Sequence, residues 1–332
     1  MLAIAKPYLL FLGDAADGLT AKTAKGVLDW RPDECLGQFR LEDCRADLGI
    51  PDMSLGDAYS RGARTLLIGV ANRGGLIDDR WISVLCDAMA IGFDLASGLH
   101  ARLVDIPELR ESADRTGRVL HDVRHAKGPQ KIGDGRKRTG RRLLPVGTDC
   151  SCGKMYTALS FEKEMMRRGI AATFRATGQT GILIAGAGVS IDAVVADFVS
   201  GAVEALAPSN DPDHWDLIEG QGSLFHPSYA GVSLGLIHGA QPDALVLCHE
   251  PTRKHMRGLP HYPIPDIADC ISANLSHARL TNMHARFVGI CINTSLMNDA
   301  DANGYLADME ERFELPAVDP VKHGVGRIVD AM

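Results

Sequence analysis

The 332-residue chain contains no apolar run approaching the roughly 18 residues that a membrane-spanning helix requires, so no membrane partner is expected. Its opening stretch, Met1 to Leu12, is broken by Lys6-Pro7 and too short for a good secretory leader; it reads as the approach to a first strand. A basic excess is also missing. Formal net charge is −7 and the pI is near 5.9, which speaks against a nucleic-acid partner. Nor is there a disulfide framework. The eight cysteines (35, 44, 86, 150, 152, 248, 270 and 291) are scattered, several inside apolar stretches, as in a reduced, cytoplasmic protein. Cys150-Ser151-Cys152 has no second Cys/His pair at ligand spacing nearby, so no metal site is expected.

What is present is ample core material, 45% apolar residues, on a chain longer than one core usually supports. Two domains follow. The Gly- and charge-rich stretch from Lys127 to Arg141 marks the boundary. The reading is a Rossmann-like α/β domain over 1–130, a linker over 131–141 and a P-loop-containing parallel-sheet domain over 142–332. The basic cluster from Lys131 to Arg142 reads as a solvated linker, with anion steering as the alternative.

The chain is organised around Gly147-Thr148-Asp149-Cys150-Ser151-Cys152-Gly153-Lys154-Met155. An apolar strand, Arg142 to Val146, precedes it and a helical pattern, Met155 to Arg168, follows. Strand, glycine-bounded loop, Gly-Lys and helix form the context of a phosphate-binding loop. Glycine lets successive N–H groups curl inward, the helix start offers unpaired N–H groups, and Lys154 adds a full charge. Gly147, Thr148, Cys150, Ser151, Cys152, Gly153, Lys154 and Met155 are therefore the candidate cofactor-binding set. Two features depart from the common pattern. Five residues separate Gly147 from Gly153, and Met155 stands where Ser or Thr would ligate Mg²⁺. The loop suits a phosphate-bearing ligand that is held rather than hydrolysed.

In the first half, strands are expected at Tyr8–Gly13 and Thr65–Val70, with a further one at Val104-Asp105. Helices are expected at Leu19–Trp30, Asp78–Phe93 and Pro107–His121. The turn after Val70 carries Asn72 and Arg73, whose fork could clamp a substrate carboxylate. In the second half, strands are expected at Ile170–Ala176, Trp215–Glu219, Ala244–Cys248 and Arg286–Ile292. Helices should fill Ser190–Leu206, Pro227–His238, Ile267–Ala278 and a stretch near Asn303–Phe313. Five strands then end in polar or glycine-rich turns: Gly147–Lys154, Thr177–Gly181, Glu219–Ser223, His249-Glu250 and Asn293–Ser295. A parallel sheet brings such ends to one edge, where α/β proteins bind ligands.

These turns resemble known proteins. Gly147-Thr148-Asp149, Gly153-Lys154 and Glu219-Gly220-Gln221-Gly222 resemble the P-loop domain of dethiobiotin synthetases, over the second half only. Over the whole chain the order and motifs are similar to a two-domain family formerly of unknown function. It pairs a Rossmann-like domain with this P-loop domain, and its members include D-glutamate N-acetyltransferases. That resemblance implies an acetyltransferase using acetyl-CoA on the amine of a D-amino acid, D-glutamate foremost. The resemblance to dethiobiotin synthetases implies the alternative, an ATP-dependent ligase or carboxylase whose Mg-ATP is held by Asp149, Glu219 and Lys154. An acyl transfer needs a proton acceptor and donors for the developing oxyanion. His249, Glu250, Glu219 and Asp149 are the candidate catalytic groups, with His226 also at the cleft. Asn72, Arg73 and Arg175 are the candidate substrate contacts, with Arg253 and Lys254 as further cations. A thiol acyl-enzyme through Cys150 or Cys152 is a lesser alternative. The partners are then an amino acid and CoA, and apolar helix faces suggest a homo-oligomer.

Overall fold

The computed structural model describes residues 3–72, 74–125 and 131–332. Arg73 lies outside them. The chain divides into two compact units, Met1–Gly128 with Gly178–Ala193, and Pro129–Thr177 with Val194–Met332. Each is built on its own parallel sheet.

The first unit contains β1 (Tyr8–Gly13), β2 (Cys35–Arg40), β3 (Thr65–Ile68), β4 (Asp94–Ser97) and β5 (Leu120–Asp122), ordered β2-β1-β3-β4-β5 and all parallel. The Leu9, Phe11, Leu66, Ile68 and Leu95 side chains are fully buried in one cluster with Trp81 and Phe93. Each such burial contributes roughly 1.5–3 kcal/mol. Two expectations fail here, and one strand is not foreseen. Val104-Asp105 belongs to a 3₁₀ turn, Leu103–Asp105, and the strand lies at Asp94–Ser97. The helix from Pro107 stops at Thr116, because Gly117 adopts a left-handed conformation that ends it and frees Leu120–Asp122 for the sheet. Strand β2, lying on the sheet edge, is not apparent in the sequence at all.

The second unit contains β6 (Arg141–Gly147), β7 (Ala172–Arg175), β8 (Trp215–Ile218) and β9 (Ala244–His249). A small antiparallel hairpin, β10 (His255–Met256) and β11 (Leu259–Pro263), stands apart from the sheet, which β12 (Arg286–Ile292) and β13 (Ala317–Val318) complete. The order is β13-β12-β9-β6-β8-β7, all parallel, with the glycine-loop strand β6 between β8 and β9. Five helices of eight residues or more lie among these strands: Lys154–Arg167, Val199–Leu206, Ala230–Ala240, Ile267–Ala278 and Asp299–Phe313. Among the described residues no helix is long and apolar enough to cross a membrane.

Two further expectations fail. The single helix over Ser190–Leu206 is a pair of 3₁₀ turns followed by a helix over Val199–Leu206. Ser190 Oγ donates to Asp192 Oδ1 instead of capping a helix, and the chain passes from the first unit to the second at Ala193-Val194. The turn at Thr177–Gly181 already contains the start of a helix, Gln179–Ala185. The basic cluster is not wholly solvated either. Arg142 is completely buried, and Arg138 donates to the carbonyls of Glu204, Ala207, Gly239 and Ala240.

Candidate active site

Strand β6 ends at Gly147, a position too crowded for a larger residue. A Cβ there would lie 2.6 Å from Cys152 Sγ and 3.0 Å from Lys154 Nζ. Gly220, at the end of β8, is more constrained still, since a Cβ would fall 1.8 Å from the Pro145 carbonyl oxygen. Ser151 and Gly153 take positive φ, 52° and 106°, so the loop curls into a concave nest. The helix Lys154–Arg167 then begins without a side-chain cap. Its first N–H groups and its positive dipole end face the loop, an arrangement suited to an anion.

The Lys154 ammonium is buried against this loop. Nζ donates to the Asp149 carbonyl at 2.7 Å and lies 3.6 Å from Cys152 Sγ, while the Cys152 thiol donates to the same carbonyl at 3.1 Å. Nζ carries three N–H groups, so Lys154 can meet a phosphate in the nest beside its bond to Asp149 O.

Asp149 itself is 1% exposed. Its carboxylate accepts from the Cys150 N–H (2.7 Å), from Arg253 Nη1 (2.6 Å) and from the Arg257 N–H (2.8 Å). Burial pushes its pKa up, but these donors outweigh burial and hold the carboxyl below its ordinary range. Arg253 is a strap over the loop. It also donates to the carbonyls of Cys150 and Ser151 and pairs with Glu250 at 2.7 Å. Arg257 reaches Ser151 Oγ. Neither arginine is obvious from the sequence as a loop contact. The signal was the glycine between two short polar strands: Gly258 turns the β10–β11 hairpin back, which sets Arg257 above Asp149.

The neighbouring strand ends are stitched to the loop. Thr148 Oγ1 lies 3.0 Å from His249 Nδ1, Ser223 Oγ donates to the Thr148 carbonyl at 3.2 Å, and Asn293 N–H donates to the His249 carbonyl at 2.8 Å. Glu219 accepts from the Thr177 N–H at 2.8 Å. Burial drives the His249 imidazole down to about 4, so it is neutral at physiological pH. Glu250 is bound by Thr252 and Arg253. The structure thus gathers His249, Glu250 and Asp149 around the loop, with Glu219 one strand further along.

His226 approaches the same place. One of its ring nitrogens, an Asp149 carboxylate oxygen and the Cys150 sulfur lie within 4.8 Å of one another. A cation would find only a weak set of ligands there, because Asp149 is already matched by Arg253. Burial and the Asp149 charge push the Cys150 thiol up, against the pull of Lys154, which keeps it protonated. Cys152 is 2% exposed. Neither thiol has the exposed, electropositive setting of a nucleophile.

The candidate substrate contacts are less available. Asn72, in the first unit, closes its own turn through two bonds with Leu76. Arg175 Nε is committed to Asp216, a fully buried carboxylate, at 2.7 Å.

Comparison with known proteins fits this architecture. Residues 131–329 match a family model described as a domain of unknown function (DUF1611_C) P-loop domain, and residues 39–126 match the DUF1611_N Rossmann-like domain. The chain is 58% identical over 329 residues to the D-glutamate N-acetyltransferase of Tritonibacter scottomollicae, with 99% of each chain covered. It is 47% identical over 328 residues to the D-glutamate N-acetyltransferase of a Pseudoalteromonas species, again with 99% of each covered. A crystal structure of a DUF1611 family protein from Anabaena variabilis superposes with a TM-score of 0.84 at 32% identity, covering 98% of this chain and 99% of that one.

Proposed function

The chain belongs to the DUF1611 family, which joins a Rossmann-like domain to a P-loop domain, and on that premise we propose that it is a D-glutamate N-acetyltransferase. It moves the acetyl group of acetyl-CoA to the amine of D-glutamate and releases CoA. The observation that carries this reading is the full-length match to two enzymes of that name, at 58% and 47% identity.

The loop's chemistry supports it. CoA brings a diphosphate and a 3′-phosphate, and the nest at Gly147–Lys154 suits such groups without needing to split them. Met155 offers no hydroxyl for Mg²⁺, and the carboxylate of Asp149 is taken by Arg253, which weighs against the Mg-ATP ligase alternative. The amine must lose a proton to attack a thioester. Asp149 and Glu250 are both paired with Arg253, so the uncharged His249 is the proposed acceptor, a weak base for as long as it stays buried. The Thr148 hydroxyl can accept a proton on His249 Nδ1, leaving Nε2 as the base. The same proposal includes a cytoplasmic setting, supported by eight free thiols, and self-association, supported by Leu280 and Met283, both more than 70% exposed.

The test is to incubate the protein with D-glutamate and either acetyl-CoA or Mg-ATP. Free thiol and N-acetyl-D-glutamate, without ADP, are expected. Mg²⁺-dependent ADP release with no thiol would overturn the reading.

A further inference from the structure

His226 carries a polar atom that its surroundings leave unused. The residue is 3% exposed, and Nε2 has no hydrogen-bond partner among the described residues. The ring is held firmly. Nδ1 accepts the Ser228 main-chain N–H at 3.2 Å, the Tyr229 ring stacks on the imidazole at 4.5 Å between centroids, and the His226 carbonyl accepts from the N–H groups of Tyr229 and Ala230. Ser223 fixes the whole turn to the glycine loop: its carbonyl accepts the His226 N–H and its hydroxyl donates to the Thr148 carbonyl.

The Ser228 contact decides what His226 can do. A main-chain N–H can only donate, so Nδ1 must be the lone-pair nitrogen. The neutral ring therefore carries its proton on Nε2. The unused atom is a donor and not a base. His249 differs, because its Nδ1 faces a hydroxyl that can take either role. A buried N–H without an acceptor costs about 1–3 kcal/mol, so the fold keeps this one at a price that an incoming oxygen recovers.

Resting on the acetyltransferase reading, we propose that Nε2–H of His226 receives the acyl oxygen as it becomes anionic during transfer. The amine nitrogen attacks the thioester carbon, a C–N bond forms, and the π pair moves onto the oxygen facing Nε2–H. When that pair returns, the C–S bond breaks and CoA leaves. The proton lost by nitrogen ends on the CoA sulfur. Nε2 is closed off from solvent, so the atoms that cover it have to give way as the acyl oxygen arrives.

Three measurements test the role together. In the wild type, ¹⁵N NMR of the histidine rings at neutral pH should place the His226 proton on Nε2; a proton on Nδ1 would overturn the proposal. His226→Ala should lose about a hundredfold in kcat with KM changed far less, the scale of a lost oxyanion donor. His226→Gln restores an N–H without a titrating group, so it should recover most of that loss and keep the wild-type pH profile. If His226→Gln is as inactive as His226→Ala and the wild-type acidic limb disappears with it, the residue is a base and the donor role is wrong. If the wild type acetylates D-glutamate and His226→Ala does so equally well, this role alone fails. If the wild type transfers no acetyl group, the functional reading itself has failed.

Discussion

At the scale of single residues, the charges around the loop are already engaged with one another. Arg253 between Asp149 and Glu250 is the clearest case. His249 is different, because burial keeps it neutral with a pKa of about 4 against an ordinary 6.5. The sign follows directly. The unfolded chain takes up this proton first, so the stability that His249 contributes is complete above pH 6.5 and is lost as pH falls towards 4. The full swing is roughly 3 kcal/mol. His249→Asn should flatten the stability curve between pH 6.5 and 4 in chemical denaturation; an unaltered slope would contradict the burial argument. Arg175 gives a second prediction. Its partner Asp216 is fully buried and would keep Asn210 as a donor and His214 nearby, so Arg175→Ala removes its one paired guanidinium and should cost about 1–3 kcal/mol of stability. The measurement is thermal unfolding alongside KM for D-glutamate. A lowered Tm with an unchanged KM places Arg175 in the scaffold, and a raised KM with an unchanged Tm places it at the substrate.

At the scale of elements, the helix ends explain a cluster that looks solvent-bound in the sequence. Arg138 donates to carbonyls at the C-terminal ends of two helices, Val199–Leu206 and Ala230–Ala240. Those carbonyls lack partners within their helices, and the negative dipole ends welcome a cation. Burial, together with neighbouring Arg142, pushes the Arg138 guanidinium down to about 10, yet it stays charged at neutral pH. Arg138→Ala should lower Tm by several degrees in calorimetry, and Arg138→Lys should recover only part, because one ammonium cannot fork across two helix ends. Spacing alone does not distinguish such an arginine from a solvated one. The same limit hides β2, whose half-buried Cys35–Arg40 pattern gives no apolar run. By contrast, Thr65–Ile68, Ala244–His249 and Arg286–Ile292 are plain in the sequence, since central strands covered on both faces read as continuous apolar stretches. The glycine loop is legible because strand, turn and helix must follow in that order. The Arg253 and Arg257 straps are not, because the turn after β9 and the hairpin beyond it bring them back from about a hundred residues further along the chain.

At the scale of the whole molecule, each unit forms a parallel α/β sheet, and the second gathers its polar strand ends on one edge around β6. If the proposed self-association holds, sedimentation should give a multiple of the 35.7 kDa chain mass; a monomer at all concentrations would contradict it. The central claim is that the loop ending in Lys154 holds the phosphates of the acyl donor while the chemistry happens beside it. Calorimetric titration of acetyl-CoA into the wild type and into Lys154→Ala tests this most directly. Loss of a buried charge-assisted bond to phosphate, worth about 1.5–3 kcal/mol, should weaken binding at least tenfold in the variant. Equal affinity in the two proteins would contradict the placement of the coenzyme at this loop.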